Sequence, residues 1–371
     1  MKNISLNNLS KRIIYVDLMR AFAVIMMIQG HTVDTLLADQ FRNTDYLGYN
    51  IWNTMRGFTA PIFMFTAGLI FTYLLKSDHF EFSKNPRVKK GIKRGFLLIG
   101  IGYLLRYPTG KIVDFSNVTQ AQWNIFFSVD ALHLIGLGLL FVILSLFIAK
   151  KLKVKLYFII IGFILLFLIF SPVINQIEWN NYLPQIISSY LTKSYGSFFP
   201  AFPWLVYVLS GALLGSYLYR NEGIYLKKRF SISLSILGSS LIFASFLTFY
   251  IQNMFNGNFT NWIFSNGIIL LRVGYVILLN GILAFIVRKV NSIPEIIQDT
   301  GKHTLALYVI HVIILYGCAW FPGMYKYFSK SFTPVETIIS AILMLLSMLF
   351  VVQLIGKINN YKKRKILLNK I

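Results

Sequence analysis

Ten long apolar runs, separated by short basic segments, dominate this 371-residue chain. They lie at roughly 13–37, 50–75, 92–107, 123–149, 155–175, 201–219, 230–252, 266–287, 303–320 and 335–356. At 1.5 Å per residue each is a candidate to cross a hydrocarbon core of about 30 Å, the third and ninth being short. Inside hydrocarbon each backbone N–H and C=O must be satisfied within its own helix or by a closed barrel. The fold class expected is therefore an all-α integral membrane bundle of about ten transmembrane helices. Connections stay within about 25 residues, so one polytopic domain over 1–371 is the simplest reading. The first run holds Asp17, Arg20 and His31 and lacks a small-residue cleavage site, so it reads as a retained helix.

Composition excludes several classes. Hydrophobic residues make up 56% of the chain and charged residues only 13%, with a mean hydropathy of +0.63. Disorder, a coiled coil and a nucleic-acid-binding domain do not fit those values. The net charge of +23 comes from basic clusters between the apolar runs. With the N-terminus inside, twenty-seven Lys and Arg fall in inside segments and five outside, which predicts both termini cytoplasmic. The inside stretch 291–302 reads as a short interfacial helix, and Trp52, Trp123, Trp179 and Trp262 as a belt at the membrane surface. One cysteine, Cys318, rules out an intrachain disulfide. No metal signature is present among the five histidines, and no phosphate-cradling loop or nucleophile elbow.

Ionisable groups inside a membrane are costly and mark working sites. In the first run Asp17 and Arg20 are three apart, and Arg20 and His31 are eleven apart. Eleven residues come within about 20° of three full turns, so Arg20, Val24, Met27, His31 and Asp34 share one face. The stripe carries a charged pair at one level and an imidazole about 16 Å further along. Arg56 in the second run falls at a depth similar to His31, and Pro61 should kink that helix. Asp130 and His133 are one turn apart in the fourth run, where a carboxylate can fix a histidine tautomer. Arg272, Tyr275 and Asn280 in the eighth run, and Tyr308 and His311 in the ninth, read first as interhelical hydrogen-bonding groups. His79 and His303 read as surface histidines.

At these residues the sequence resembles a known group. Arg20-x10-His31, preceded by Asp17, resembles the first-helix signature of membrane acyltransferases that acylate sugars. Segment 59–71 (TAPIFMFTAGLIF) is similar to the apolar Pro/Gly segment that follows that signature. Segments 129–140 (VDALHLIGLGLL) and 200–215 (PAFPWLVYVLSGALLG) resemble parts of the heparan-alpha-glucosaminide N-acetyltransferase-like family. Segment 299–317 resembles a late helix shared by both branches. The resemblance implies transfer of an acyl group, usually from acetyl-CoA on the cytoplasmic side, to a sugar hydroxyl or amine on the other side. It also implicates a histidine on or just after the first helix.

The residues suit that chemistry. Acyl transfer needs a base to deprotonate the acceptor and donors to hold the oxyanion. The roles expected are His31 as base, Asp34 or Asp130 as its orienter beside His133, and Arg56 as oxyanion or substrate clamp. Asp17 and Arg20 would line the donor passage, and Lys90, Lys93 and Arg94 would meet the CoA phosphates. The partners expected are an acyl-CoA, a carbohydrate or glycolipid acceptor and membrane lipids, with no nucleic acid. The oligomeric state stays open, a homodimer included. The location expected is a bacterial cytoplasmic (inner) membrane. The competing reading is a transporter or flippase using the same charges as a substrate path, which should show a repeat between halves.

Overall fold

The computed structural model describes residues 13–77, 80–194, 196–252, 254, 258–290 and 292–368. His79 lies outside the described residues, as do Lys2, Lys11, Arg12 and Lys370 and the side chain of Trp262. Among the described residues the protein is all-helical, with no strand. In chain order the helices are α1 (Ile14–Leu36), α2 (Leu47–Arg56), α3 (Thr59–Leu75), α4 (Pro86–Leu105) and α5 (Gln120–Phe127). Next come α6 (Ala131–Lys151), α7 (Leu156–Gln176), α8 (Gln185–Leu191), α9 (Ala201–Arg220) and α10 (Lys228–Gln252). The last are α11 (Asn258–Lys289), α12 (Glu295–Lys302), α13 (Thr304–Tyr316), α14 (Tyr325–Phe328) and α15 (Pro334–Leu368).

Among the described residues eight segments are long and apolar enough to cross a membrane, with α2 and α3 counted as one. The other two expected spans correspond to α4 and α13. The first half of α4 is loaded with Arg87, Lys89, Lys90, Lys93 and Arg94, which lowers its hydropathy. Helix α13 has 13 residues, about 20 Å, and stops four residues before the expected end. Gly317 ends it with φ 82°, and a Cβ there would press on the carbonyls of Phe321 and Pro322.

Two further boundaries differ from expectation, each for a local reason. The second apolar run breaks at Gly57–Phe58 rather than kinking at Pro61. Pro61 sits in the first turn of α3, where its missing N–H has no intrahelical partner to lose. The fourth run breaks at Ser128–Asp130, because the Asp130 carboxylate caps α6 by accepting from the backbone N–H groups of Leu132 and His133.

The helices gather into two compact units. One comprises the chain up to Thr59 and from Ile286 onward, and the other Ala60–Phe285. In the first, hereafter the terminal unit, α1 is the hub and packs on α12, α13 and α15. Gly301 of α12 lies so close to α1 that a Cβ would collide with the carbonyl oxygen of Asp17. Helix α15 buries Ala341, Met344, Met348 and Val352 and leaves Ile338, Ile342, Leu346 and Phe350 exposed, as a lipid-facing surface requires.

In the second, hereafter the middle unit, α4 packs on α6, and α7 and α6 pack on α9. Small residues bring backbones together. A Cβ on Gly68 would strike the carbonyl of Val208, and one on Gly211 or Gly215 would strike the carbonyls of Phe65 and Leu69. Helices α10 and α11 meet in the same way at Gly238, Gly274 and Gly281.

Candidate active site

Helix α1 carries the expected stripe unbroken, and two of its stations reach α13 within the terminal unit. Arg20 donates from Nη2 to Thr304 Oγ1 at 2.7 Å, and Nδ1 of His31 lies 3.0 Å from Nε2 of His311. Both partners advance together along the chain, so α1 and α13 run in the same direction. The two imidazoles are nearly parallel, with centroids 5.2 Å apart. Asp17 is buried beside Gly301, as described above.

The hydrogen bonds fix the tautomers. Nδ1 of His311 lies 2.6 Å from the carbonyl oxygen of Leu307, which can only accept, so His311 carries its proton there. Nε2 of neutral His311 is then an acceptor, and Nδ1 of His31 donates to it. In that tautomer Nε2 of His31 is the unprotonated ring nitrogen, the form a general base needs. His311 is fully buried (0% exposed), whereas His31 is only partly buried.

One turn further along α1, Asp34 forms the second part of the site. Arg56 donates from Nη1 to Asp34 Oδ1 at 2.6 Å, and Tyr316 donates to Oδ2 at 3.5 Å. Arg42 adds an Nη1–Oδ1 approach of 3.7 Å and bonds to the carbonyls of Asp34 and Leu37. Trp52 lies under the Arg56 guanidinium at 5.6 Å and donates its indole N–H to Gln29. The Tyr316 ring stands edge-on to His31 at 5.6 Å. A base, a guanidinium and a phenol therefore share one partly exposed pocket of polarity. Asp34 was expected to orient His31; the partners recorded for its carboxylate are Arg56, Arg42 and Tyr316.

The remaining expected residues belong to the middle unit. Nδ1 of His133 lies 2.9 Å from Asp130 Oδ1, and Arg106 Nε lies 3.4 Å from Asp130 Oδ2 while bonding Ser128. His133 is 0% exposed and packs on Gly102, Tyr103 and Tyr190. Burial pushes the Tyr190 phenol far above its ordinary value, and its oxygen meets that of Tyr103 at 3.4 Å. This cluster forms a capping box at the start of α6, while Nε2 of His133 is buried with no hydrogen-bond partner among the described residues. Lys90, Lys93 and Arg94 lie exposed on the first turns of α4.

The model of an acyltransferase domain, type 3, matches residues 13–357, nearly the whole chain and every cluster just described. The chain belongs to the type-3 acyltransferase family. No curated protein and no solved structure matches it. With its apolar helices, this type-3 acyltransferase is an integral membrane protein. The site groups absent from the catalytic set expected from sequence are Arg42, His311 and Tyr316. The signal for His311 was a lone imidazole in an apolar helix, and what it lacked was any local spacing to His31.

Proposed function

We propose that this membrane acyltransferase moves an acyl group, acetyl above all, from a CoA thioester on the cytoplasmic face to a carbohydrate hydroxyl or amine on the other. The observation that carries the reading is the His31–His311 pair inside a type-3 acyltransferase domain. Nε2 of His31 takes the acceptor's proton as the acceptor oxygen or nitrogen attacks the thioester carbonyl. The C–S bond then breaks, and the CoA sulfur leaves with a proton from His31. His311 receives the Nδ1–H hydrogen bond of His31 throughout and steadies the imidazolium. Arg56, held by Asp34, stands ready for the oxyanion.

Several finer assignments belong to the same proposal. The likeness of 129–140 and 200–215 to the heparan-alpha-glucosaminide N-acetyltransferase-like family supports acetyl as the group moved. The Lys/Arg distribution supports cytoplasmic termini and puts α4, with Lys90, Lys93 and Arg94, where CoA phosphates arrive. A bacterial inner membrane is the location this topology suits.

The test uses the full chain in proteoliposomes, with labelled acetyl-CoA on the cytoplasmic face and glucosamine-containing glycans on the other. Label in the acceptor with wild type and none with folded His31→Ala supports the reading. Label with both moves the base elsewhere, and no label with wild type overturns the donor or acceptor assignment.

A further inference from the structure

Arg272 lies on the apolar helix α11 (Asn258–Lys289), six residues into the run 266–287 expected to cross the membrane. Six residues are about 9 Å along the helix, within reach of the interface for an arginine side chain.

Its surroundings are specific. The guanidinium lies over the Trp204 ring at 5.3 Å. It also bonds the hydroxyl of Tyr207, which is buried. Trp204 is itself held between Phe199 at 4.7 Å and Tyr207 at 5.4 Å. The loop carrying Phe199 is pinned by bonds from Phe198 and Phe199 N–H to the Val129 carbonyl, and from Val129 N–H to Ser197 Oγ.

The charge balance sets Arg272 apart. Arg42, Arg56 and Arg106 each have an aspartate within 4 Å. Among the described residues, no carboxylate lies within that distance of Arg272. The face of an indole offsets part of the cost of a cation in hydrocarbon. It leaves most of the five N–H donors, arranged as a fork that matches carboxylate or phosphate oxygens, without an anion. Arg272 is only partly buried.

We propose that Arg272, laid on Trp204 and bonded to Tyr207, is a receptor within the membrane for a phosphate group. The phosphate of an anionic lipid headgroup and that of a soluble phosphate-bearing solute share this chemistry. The assignment holds whatever acyl group His31 transfers, because it concerns binding alone.

The test is binding by the purified full chain in phosphatidylcholine nanodiscs. One arm titrates phosphatidylglycerol into the disc and the other adds CoA in solution, each read by native mass spectrometry of retained ligand. The expected result is retention in one arm that falls about 10- to 100-fold in Arg272→Gln. Arg272→Lys should fall less, since it keeps the charge and loses the fork, and Tyr207→Phe should weaken retention a few-fold. Arg220 stacks on Tyr157 with similar geometry at 5.3 Å, at the end of its helix, and Arg220→Gln should leave retention unchanged. If Arg272→Gln does not fold, Arg272→Lys and Tyr207→Phe decide. Equal retention by wild type and the Arg272 and Tyr207 variants in both arms, or an equal loss in Arg220→Gln, overturns the proposal.

Discussion

Arg56 reaches Asp34 across 2.6 Å by passing over Gly30, where an added Cβ would lie 3.6 Å from the arginine Cγ. The two residues come from different helices, and the pair sits one turn from His31. Asp34→Asn removes the counter-charge and leaves two arginines facing a neutral amide. The expected effect is a 10- to 100-fold fall in kcat for acyl transfer, in line with loss of a charge-assisted bond. Arg56→Lys should retain more activity than Arg56→Gln. Steady-state kinetics on the three variants checks this, and equal rates for Lys and Gln would remove the electrostatic role.

The two histidines should behave as one unit. His31→Ala is expected to lose about 10²- to 10⁴-fold in turnover, the range for a general base. His311→Ala should lose less, about 10- to 100-fold, because His31 keeps its own ring and loses only the partner that fixes its tautomer. The double variant should be no slower than His31→Ala. Additive losses in a double-mutant cycle would show two independent roles.

Asp130 should matter to stability more than to turnover. Its carboxylate caps α6, holds His133 and faces Arg106 while 6% exposed. Asp130→Ala is expected to cost about 2–4 kcal/mol, combining a lost cap with a broken buried pair. Thermal unfolding in detergent reads this directly. Turnover per folded molecule near wild type is the companion expectation, and a hundredfold loss in folded protein would return Asp130 to the chemistry.

The seam between α3 and α9 admits nothing larger than glycine at three places. Gly211→Ala would drive a methyl into the carbonyl of Phe65, and Gly68→Ala into that of Val208. Each should destabilise the middle unit by about 1–3 kcal/mol or more, as overpacking does. Gly162→Ala, where a Cβ meets nothing within 4 Å, is the matched control and should be neutral or slightly stabilising. Similar melting temperatures for Gly211→Ala and Gly162→Ala would contradict the seam.

What the sequence makes legible here is whatever depends on neighbours along the chain. The apolar runs place the long helices, the eleven-residue spacing puts Arg20 and His31 on one face of α1, and the three-residue spacing of Asp130 and His133 gives their bond. Chain breaks were harder to read. Pro61 drew attention as a kink, yet a proline in a first turn is harmless, and the break fell at Gly57. Asp130 looked like a residue within a helix because an acid before an apolar run is both a cap and a membrane charge. The pairing of His31 with His311 had no local signature at all. It arises because α13 packs alongside α1, and no periodicity spans the 280 residues between them.

That separation has a consequence for synthesis. Arg20, His31 and Asp34 leave the ribosome first, while Thr304, His311 and Tyr316 follow only after the whole middle unit. At about 5–20 residues per second the interval is roughly 15–55 s. Through that time the first helix carries its imidazole without the His311 ring that it meets in the folded protein. Any product truncated before residue 304 also lacks α13 and α15, both of which pack on α1, so the terminal unit is completed only by the last helices made.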